Sequence, residues 1–297
     1  MAEARFERLA GRTFVARGPS NVGLYDLGGG RALLVDSGND EEAGKRLARG
    51  CEAAGFSVAL VANTHSHADH CGGNAYLQSR TGCGIAAPRH EAAFIERPLL
   101  EPSLLWGGYP PPPLRNKFLM AKASRVTMLL DPPCALGDTG VEAIPLPGHF
   151  LAMAGYRSPD SVFFIADAVA SPEILEKHCV FFLYDVEAQL ASLDALEAAE
   201  ADWFVPSHAP PTEDIRPLVG YMRLKIEAVS SFLAEACGRP SSPEELLVAL
   251  AGRFEVELNH TQYVLLDATM RSTLAYLAGR KEIASRLEGG RLLFERT

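Results

Sequence analysis

The 297 residues carry 28 Lys+Arg against 37 Asp+Glu, a net charge of -9, and 47% are apolar. That apolar share supports a sizeable core and excludes a disordered chain, while the acidic balance disfavours broad electrostatic binding to nucleic acid or an anionic membrane. No apolar run reaches spanning length, and the opening "MAEARFERLAGR" lacks the apolar stretch of a signal peptide, so a cytoplasmic, membrane-free protein is expected.

The predicted elements begin with strands in "RTFVARG", "NVGLYDLGGG" and "RALLVDSG", the last two joined by a turn at glycines 28–30. Asn39 is placed to cap a helix over about residues 40–54, and "FSVALVANT" is the next strand. Strand–helix–strand alternation predicts a layered α/β architecture.

That last strand runs into "NTHSHADHCGGN" at residues 63–74, where three of the chain's eight histidines fall. Gly72 and Gly73 break any continuing element, so the cluster sits on a loop. In extended chain His65 and His67 point the same way, and Asp69 and His70 can turn to a second point. Imidazole and carboxylate together suit zinc, and also iron or manganese. Cys71 follows directly but reads as a small residue in a tight loop. The six cysteines show no CxxC spacing, and reduced thiols are expected.

Residues 88–133 are rich in proline, hold a helix at about 90–96, and read as an insertion or lid outside the core sheet. Trp106, Tyr109 and Phe118 are its candidates to face a substrate. Two short strands, "GVEAIPLPG" and "SVFFIAD", precede a helix at about 186–200 with Leu190, Leu193 and Leu196 at helical spacing. "DWFVPSH" is a further strand. Beyond Pro210 and Pro211 come helices at about 214–237, 243–253 and 261–278, then a hairpin turning at Gly289 and Gly290. The start "SPEE" at residues 242–245 is a good helix N-terminus. Helices followed by a terminal hairpin resemble a winged-helix unit. The expected division is a catalytic domain over residues 1–212 and a winged-helix-like domain over 213–297.

Four more donors close apolar strands: Asp36, His149, Asp167 and His208. Strand ends are where layered α/β proteins assemble sites. With the cluster, and leaving Asp36 aside, seven oxygen and nitrogen donors are available, enough for two metal ions that share a carboxylate.

"THSHADH", then "PGH", "AD" and "SH", in this order and spacing over residues 10–210, resemble the metallo-β-lactamase-fold hydrolase superfamily. The resemblance implies a four-layer αββα sandwich with a dinuclear site at one edge. It implies that His65, His67 and His149 hold one metal, that Asp69, His70 and His208 hold the second, and that Asp167 bridges. Asp36 would orient histidine ligands from behind. The cofactor implied is two Zn2+ per chain, with Fe or Mn as alternatives. The C-terminal part resembles the winged-helix appendage of glyoxalase II-like members. Cysteine stands at the position of Asp167 in many zinc β-lactamases, which argues against antibiotic hydrolysis. Glutamate stands at that of His67 in flavodiiron proteins, which argues against their redox role. "GHFLAMAG" replaces the usual "GHTPG" or "GHSPG", so Phe150 removes a hydroxyl beside the site.

The expected activity is a dinuclear-metal hydrolase whose bridging hydroxide attacks a small ester, thioester or lactone. Asp69 or Asp167 would hold the proton. Tyr184 is either a hydrogen-bond donor to a developing oxyanion or a core residue. The alternatives are a mononuclear-iron persulfide dioxygenase and a phosphodiesterase or nuclease. Against the nuclease, residues 212–297 hold 11 Lys+Arg and 12 Asp+Glu, and the helix at 261–278 has a single Arg, Arg271. The expected partners are a small-molecule substrate and a second copy of the chain as a homodimer, with no specific nucleic acid. Among the leftover histidines, His90, His178 and His260, only His178 lies where a role is expected.

Overall fold

The computed structural model describes residues 3–297. A seven-stranded sheet runs in sequence order: β1 (Phe6–Ala10), β2 (Thr13–Ala16), β3 (Val22–Gly28), β4 (Arg31–Val35), β5 (Ser57–Ala62), β6 (Gly84–Pro88) and β7 (Met128–Leu130). The second sheet has order β12-β11-β10-β9-β8, from β8 (Cys134–Ala135), β9 (Glu142–Pro145), β10 (Ala154–Arg157), β11 (Val162–Ala170) and β12 (Trp203–His208).

Alternation along the strands builds the layers. Leu24, Leu34 and Val61 face outward, onto Leu47, Ala48 and Cys51 of α1 (Glu41–Ala53) and Leu77 of α3 (Asn74–Thr81). Tyr25, Leu33 and Val35 face inward, where they meet Tyr156, Phe164 and Val205 of the second sheet. The far face of that sheet, through Phe163, Ile165 and Phe204, packs on Leu193 and Leu196 of α7 (Val186–Ala198). Two helix layers enclose two sheets, which is the expected αββα sandwich.

Several expectations need correction. The α1 cap is Asp40, whose side chain accepts from the Ala43 N–H at 3.0 Å, and not Asn39. Asp40 is the residue directly before the first helical position, where a carboxylate reaches the free N–H groups. Residues 88–133 are not all outside the sheet, because β7 pairs in parallel with β6. Between those strands run α4 (Arg89–Glu96), α5 (Leu100–Trp106) and a 3-10 turn at Pro112–Leu114. β1, α3, β6, α5, β8, β10 and α6 (Pro172–His178) had not been anticipated.

The C-terminal helices α8 (Arg216–Ala236), α9 (Pro243–Arg253) and α10 (His260–Gly279) precede the hairpin of β13 (Ile283–Glu288) and β14 (Arg291–Arg296). Ser242 makes a full capping box with Glu245 at the start of α9. Helix α8 joins two cores. Its Val219, Met222 and Ile226 pack on the sandwich, and its Val229 and Leu233 pack with Leu247, Leu250, Met270 and Leu274. No helix among the described residues is long and apolar enough to cross a membrane.

Candidate metal centre

The histidine loop leaves β5 and is locked before it reaches the site. Tyr156 Oη donates to the Asn63 carbonyl at 2.8 Å, and the Ala154 N–H donates to the Thr64 carbonyl at 3.0 Å. The cluster is not wholly a loop as expected: a short helix, α2 (Ala68–Cys71), carries Asp69 and His70, and the His70 ring lies 4.0 Å from that of His65. Gly72 ends α2 where a Cβ would lie 2.3 Å from the Asn39 backbone, so no larger residue fits. Cys71 donates its thiol to the Ser66 carbonyl at 3.1 Å and faces away from the donors.

His149 follows Gly148, whose φ of +127° and close approach to Gln189 also demand glycine. Asp167 is not at a strand end as expected. β11 runs on to Ala170, and Asp167 sits inside it where the register with β12 shifts. Ala166 has a φ of 51° at that point. The bulge re-aims the carboxylate toward the cluster, the usual work of a bulge beside a site. Asp36 is a second non-glycine residue at positive φ, 66°, just past β4.

The donors converge in two groups. His65 Nε2 lies 3.0 Å from His67 Nδ1, and His149 Nε2 lies 3.1 Å from the same atom. Ligands placed tetrahedrally at ~2.0–2.1 Å around zinc stand about 3.3 Å apart. In the second group His208 Nε2 is 3.2 Å and His70 Nε2 3.5 Å from Asp69 Oδ2. Asp167 stands between them, with Oδ2 3.5 Å from His149 Nε2 and 3.4 Å from His208 Nε2, and Oδ1 3.4 Å from His70 Nε2.

What stands behind each ring fixes which nitrogen faces inward. His149 Nδ1 donates to the Phe182 carbonyl (2.9 Å), and His208 Nδ1 to the Pro19 carbonyl (2.8 Å). Carbonyls only accept, so each Nδ1 carries its hydrogen and each Nε2 is left for the centre. Asp36 serves two more rings. Its Oδ2 lies 2.9 Å from His70 Nδ1 and accepts from Thr64 Oγ1 at 2.8 Å. With its hydrogen so used, Thr64 Oγ1 accepts from His65 Nδ1 at 3.0 Å. His67 is reversed: Nδ1 faces the cluster and Nε2 looks toward Glu101 at 4.0 Å.

A cation fits this donor set. His70 Nε2 and Asp167 Oδ1 are buried without a hydrogen-bond partner, an arrangement that costs free energy unless something else satisfies them. Burial holds His65, His67 and His149 below the usual imidazole range, His67 at about 3, which leaves their lone pairs free. Burial also opposes charge on His70 and His208. There Asp167 and Asp69 prevail, and they hold His208 at about 10.

A family description, the metallo-beta-lactamase superfamily, matches residues 15–208. The chain belongs to the metallo-β-lactamase superfamily. Within it, a hydroxyacylglutathione hydrolase of Hyphomonas neptunium is 27% identical over 147 residues, 49% of this chain and 46% of that protein. One of Maricaulis maris is 31% identical over the same shares. The chain thus spans about half the length of these curated relatives. A solved metallo-beta-lactamase family protein of Thermus thermophilus superposes with a TM-score of 0.73 at 20% identity, covering 96% of this chain and 99% of that one. A beta-lactamase domain protein of Burkholderia ambifaria gives 0.72 at 20%, covering 98% and 93%. At such identity these two establish the fold alone, and their coverage runs into the C-terminal helices.

The superfamily motif thus comes together as one cluster, but the aromatic candidates of residues 88–133 do not join it. Trp106 is 49% and Tyr109 71% exposed, and neither lines the cavity beside Asp69 and Asp167. Part of that segment packs on α10, through Leu114, Leu119 and Val264, and part on the sandwich, where Ala92 and Ile95 meet Cys71 and Ala87. Tyr184 is exposed, not buried in the core, with its ring 6.1 Å from that of Phe150. Phe150 itself is buried against the His67 ring.

Two carboxylates that the sequence reading missed reach the site from behind. Glu91 is fully buried. Its Oε2 accepts from the Ser66 N–H (3.0 Å) and hydroxyl (2.7 Å), and its Oε1 accepts from the Ala152 N–H (2.8 Å). It therefore ties the loop of His65 and His67 to the loop of His149. Burial pushes its carboxyl up to about 7. Glu101 is also buried, and burial followed by the charge of Asp69 pushes it well above the usual range. The signal for Glu91 was present: it shares a helix face with Ala92 and Ile95, a carboxylate on an apolar stripe.

Proposed function

We propose that this chain is a dinuclear-metal hydrolase of small esters, thioesters or lactones. One observation carries the reading: two complete donor triads are joined through a single buried carboxylate, Asp167, whose Oδ1 has no hydrogen-bond partner. His65, His67 and His149 would hold one cation, and Asp69, His70 and His208 the other, with Asp167 shared. Zinc suits the imidazole-rich set, and iron or manganese suits it too. When bound, such a pair supplies an acidified water and a Lewis acid for the substrate oxygen.

The chain's own groups do the rest. Asp69 presents a side chain 42% exposed at the cavity floor. It accepts the proton of the attacking water and returns it to the leaving group. Asp36, Thr64, Phe182 and Pro19 hold four imidazoles in orientation, so the donors need not reorganise during turnover. No serine or cysteine nucleophile is required. The relatives named hydroxyacylglutathione hydrolase support thioester chemistry. The completeness of the second triad favours hydrolysis over an oxygenase that uses one ion.

The test is a panel of activated esters, thioesters, lactones and phosphodiesters on enzyme reconstituted with zinc, iron or manganese in turn, with oxygen uptake followed alongside. Hydrolysis of acyl substrates without oxygen uptake is expected. Oxygen consumption with a persulfide, or turnover of phosphodiesters alone, would refute the reading.

A further inference from the structure

A cavity of about 220 Å³ opens beside the donor cluster, with Asp69, Asp167 and His208 on its floor. The chain after β11 forms one wall through Phe181 and Phe182, and the C-terminal region forms another through Val256, Leu265 and Leu266. These walls are joined. The Leu183 N–H donates to Thr269 Oγ1 at 3.1 Å, and the Val186 N–H donates to Ser272 Oγ at 3.2 Å, both hydroxyls on α10. The Phe182 carbonyl meanwhile orients His149. Helix α10 is thus braced onto the segment that carries the site.

The lining decides what fits. Among the described residues it holds no Lys or Arg. His178 also lines it, held below the usual imidazole range by burial and by the charge of Lys177, and the polar group that α10 contributes, Gln262, is uncharged. The hollow on the other side of Phe182 holds one cation, Arg271, and Asp267 engages that guanidinium at 2.7 Å. Away from the floor, a carboxylate entering the cavity would lose water and meet no Lys or Arg, which is costly. In the hollow it would meet one guanidinium already paired with Asp267 and set among Asp185 and Glu187. The cavity beside the donors, at about 220 Å³, is below the ~300–1,000 Å³ of pockets that enclose a drug-sized ligand, whereas the hollow across Phe182 is about 480 Å³.

Resting on the hydrolase reading above, we infer that the substrate is uncharged, with a short apolar chain seated in this cavity. Helix α10 is the selectivity wall, and a glutathione conjugate, with its two carboxylates, is not the substrate. This departs from the activity for which the hydroxyacylglutathione hydrolase relatives are named, whose match covers about half of each chain.

The test compares binding of two thioethers to the zinc-loaded full chain by calorimetry: neutral hexyl 2-hydroxyethyl sulfide and S-hexylglutathione. The neutral sulfide should bind at least as tightly. Shortening hexyl to butyl should weaken it by up to about fourfold per methylene, from ~0.8 kcal/mol for each buried CH2. Gln262→Arg, a partly exposed position, should shift the preference toward S-hexylglutathione by about tenfold, within the measured range for close charge pairs. Tenfold tighter binding of S-hexylglutathione by the unmodified protein, or affinity independent of chain length, would overturn the inference. If no ester, thioester or lactone is hydrolysed yet the neutral sulfide binds with this chain-length dependence, the hydrolase reading fails and the cavity assignment stands.

Discussion

The two halves of the donor cluster are built differently. His65, His67 and His149 form a dry nest of neutral imidazoles, with His65 fully buried and Phe150 and Phe182 packed at its edge. Asp69, His70 and His208 form a charged set in which Asp69 is 42% exposed at the cavity. The supports differ as well. Glu91 braces only the first half, whereas Asp36 reaches both, His70 directly and His65 through Thr64. On the proposed dinuclear reading, the first half would hold one cation tightly, and the second, which reaches the cavity through Asp69, is where a cation would exchange and chemistry would proceed.

The largest effect should come from removing the group that the halves share. Asp167→Ala should lower turnover by more than ~100-fold and halve the metal content, since even partners that only orient a ligand cost about 10–100-fold. Wild-type turnover in this variant would show that the halves do not share a carboxylate. Asp36→Asn should weaken both sites, by about 10–100-fold in affinity, read by competitive zinc titration. A loss confined to one site would break the account of Asp36.

Glu91→Gln should weaken the first site alone, by about tenfold, because an amide cannot accept at both ends of the carboxylate. This variant also carries a pH signature. The folded carboxyl titrates at about 7, above its ordinary 4.5. The glutamate's contribution to stability is then complete below about 4.5 and is lost as pH rises through about 7. Thermal denaturation of the metal-free proteins should show wild type losing ground against Glu91→Gln between those values, and a constant difference would contradict it. The smallest effect is kinetic: a chelator should strip the second cation before the first, giving two phases of metal release. A single phase would remove the distinction between the halves.

Much of this was legible in the sequence because the candidate donors and the residue that orients them follow a short-range rule, being the first strong ligand type at or beyond the end of an apolar strand. Asp36, His149 and His208 obey it, and His65, His67, Asp69 and His70 lie together in the chain. Asp167 broke the rule, because its direction comes from a bulge in the pairing with β12 that no local pattern reports. Strand β10 has four residues, including Gly155, and takes its hydrogen bonds from neighbours on both sides. Helix α6 did carry a signal, a Ser171 cap followed by Pro172 at its first position. The aromatic residues Trp106 and Tyr109 misled because large rings suggest a binding surface, whereas the cavity beside the donors is walled by Phe181, Phe182 and Leu265. Those residues meet only through packing between segments some eighty positions apart, which spacing along the chain does not encode.

The central claim is that one chain holds two cations through one shared carboxylate. Elemental analysis tests it most directly, on protein purified without chelator and then reconstituted with zinc, iron and manganese in turn. The account predicts two metal ions per chain with at least one of these, falling to one in Asp167→Ala. One ion or fewer per chain with all three metals would contradict it.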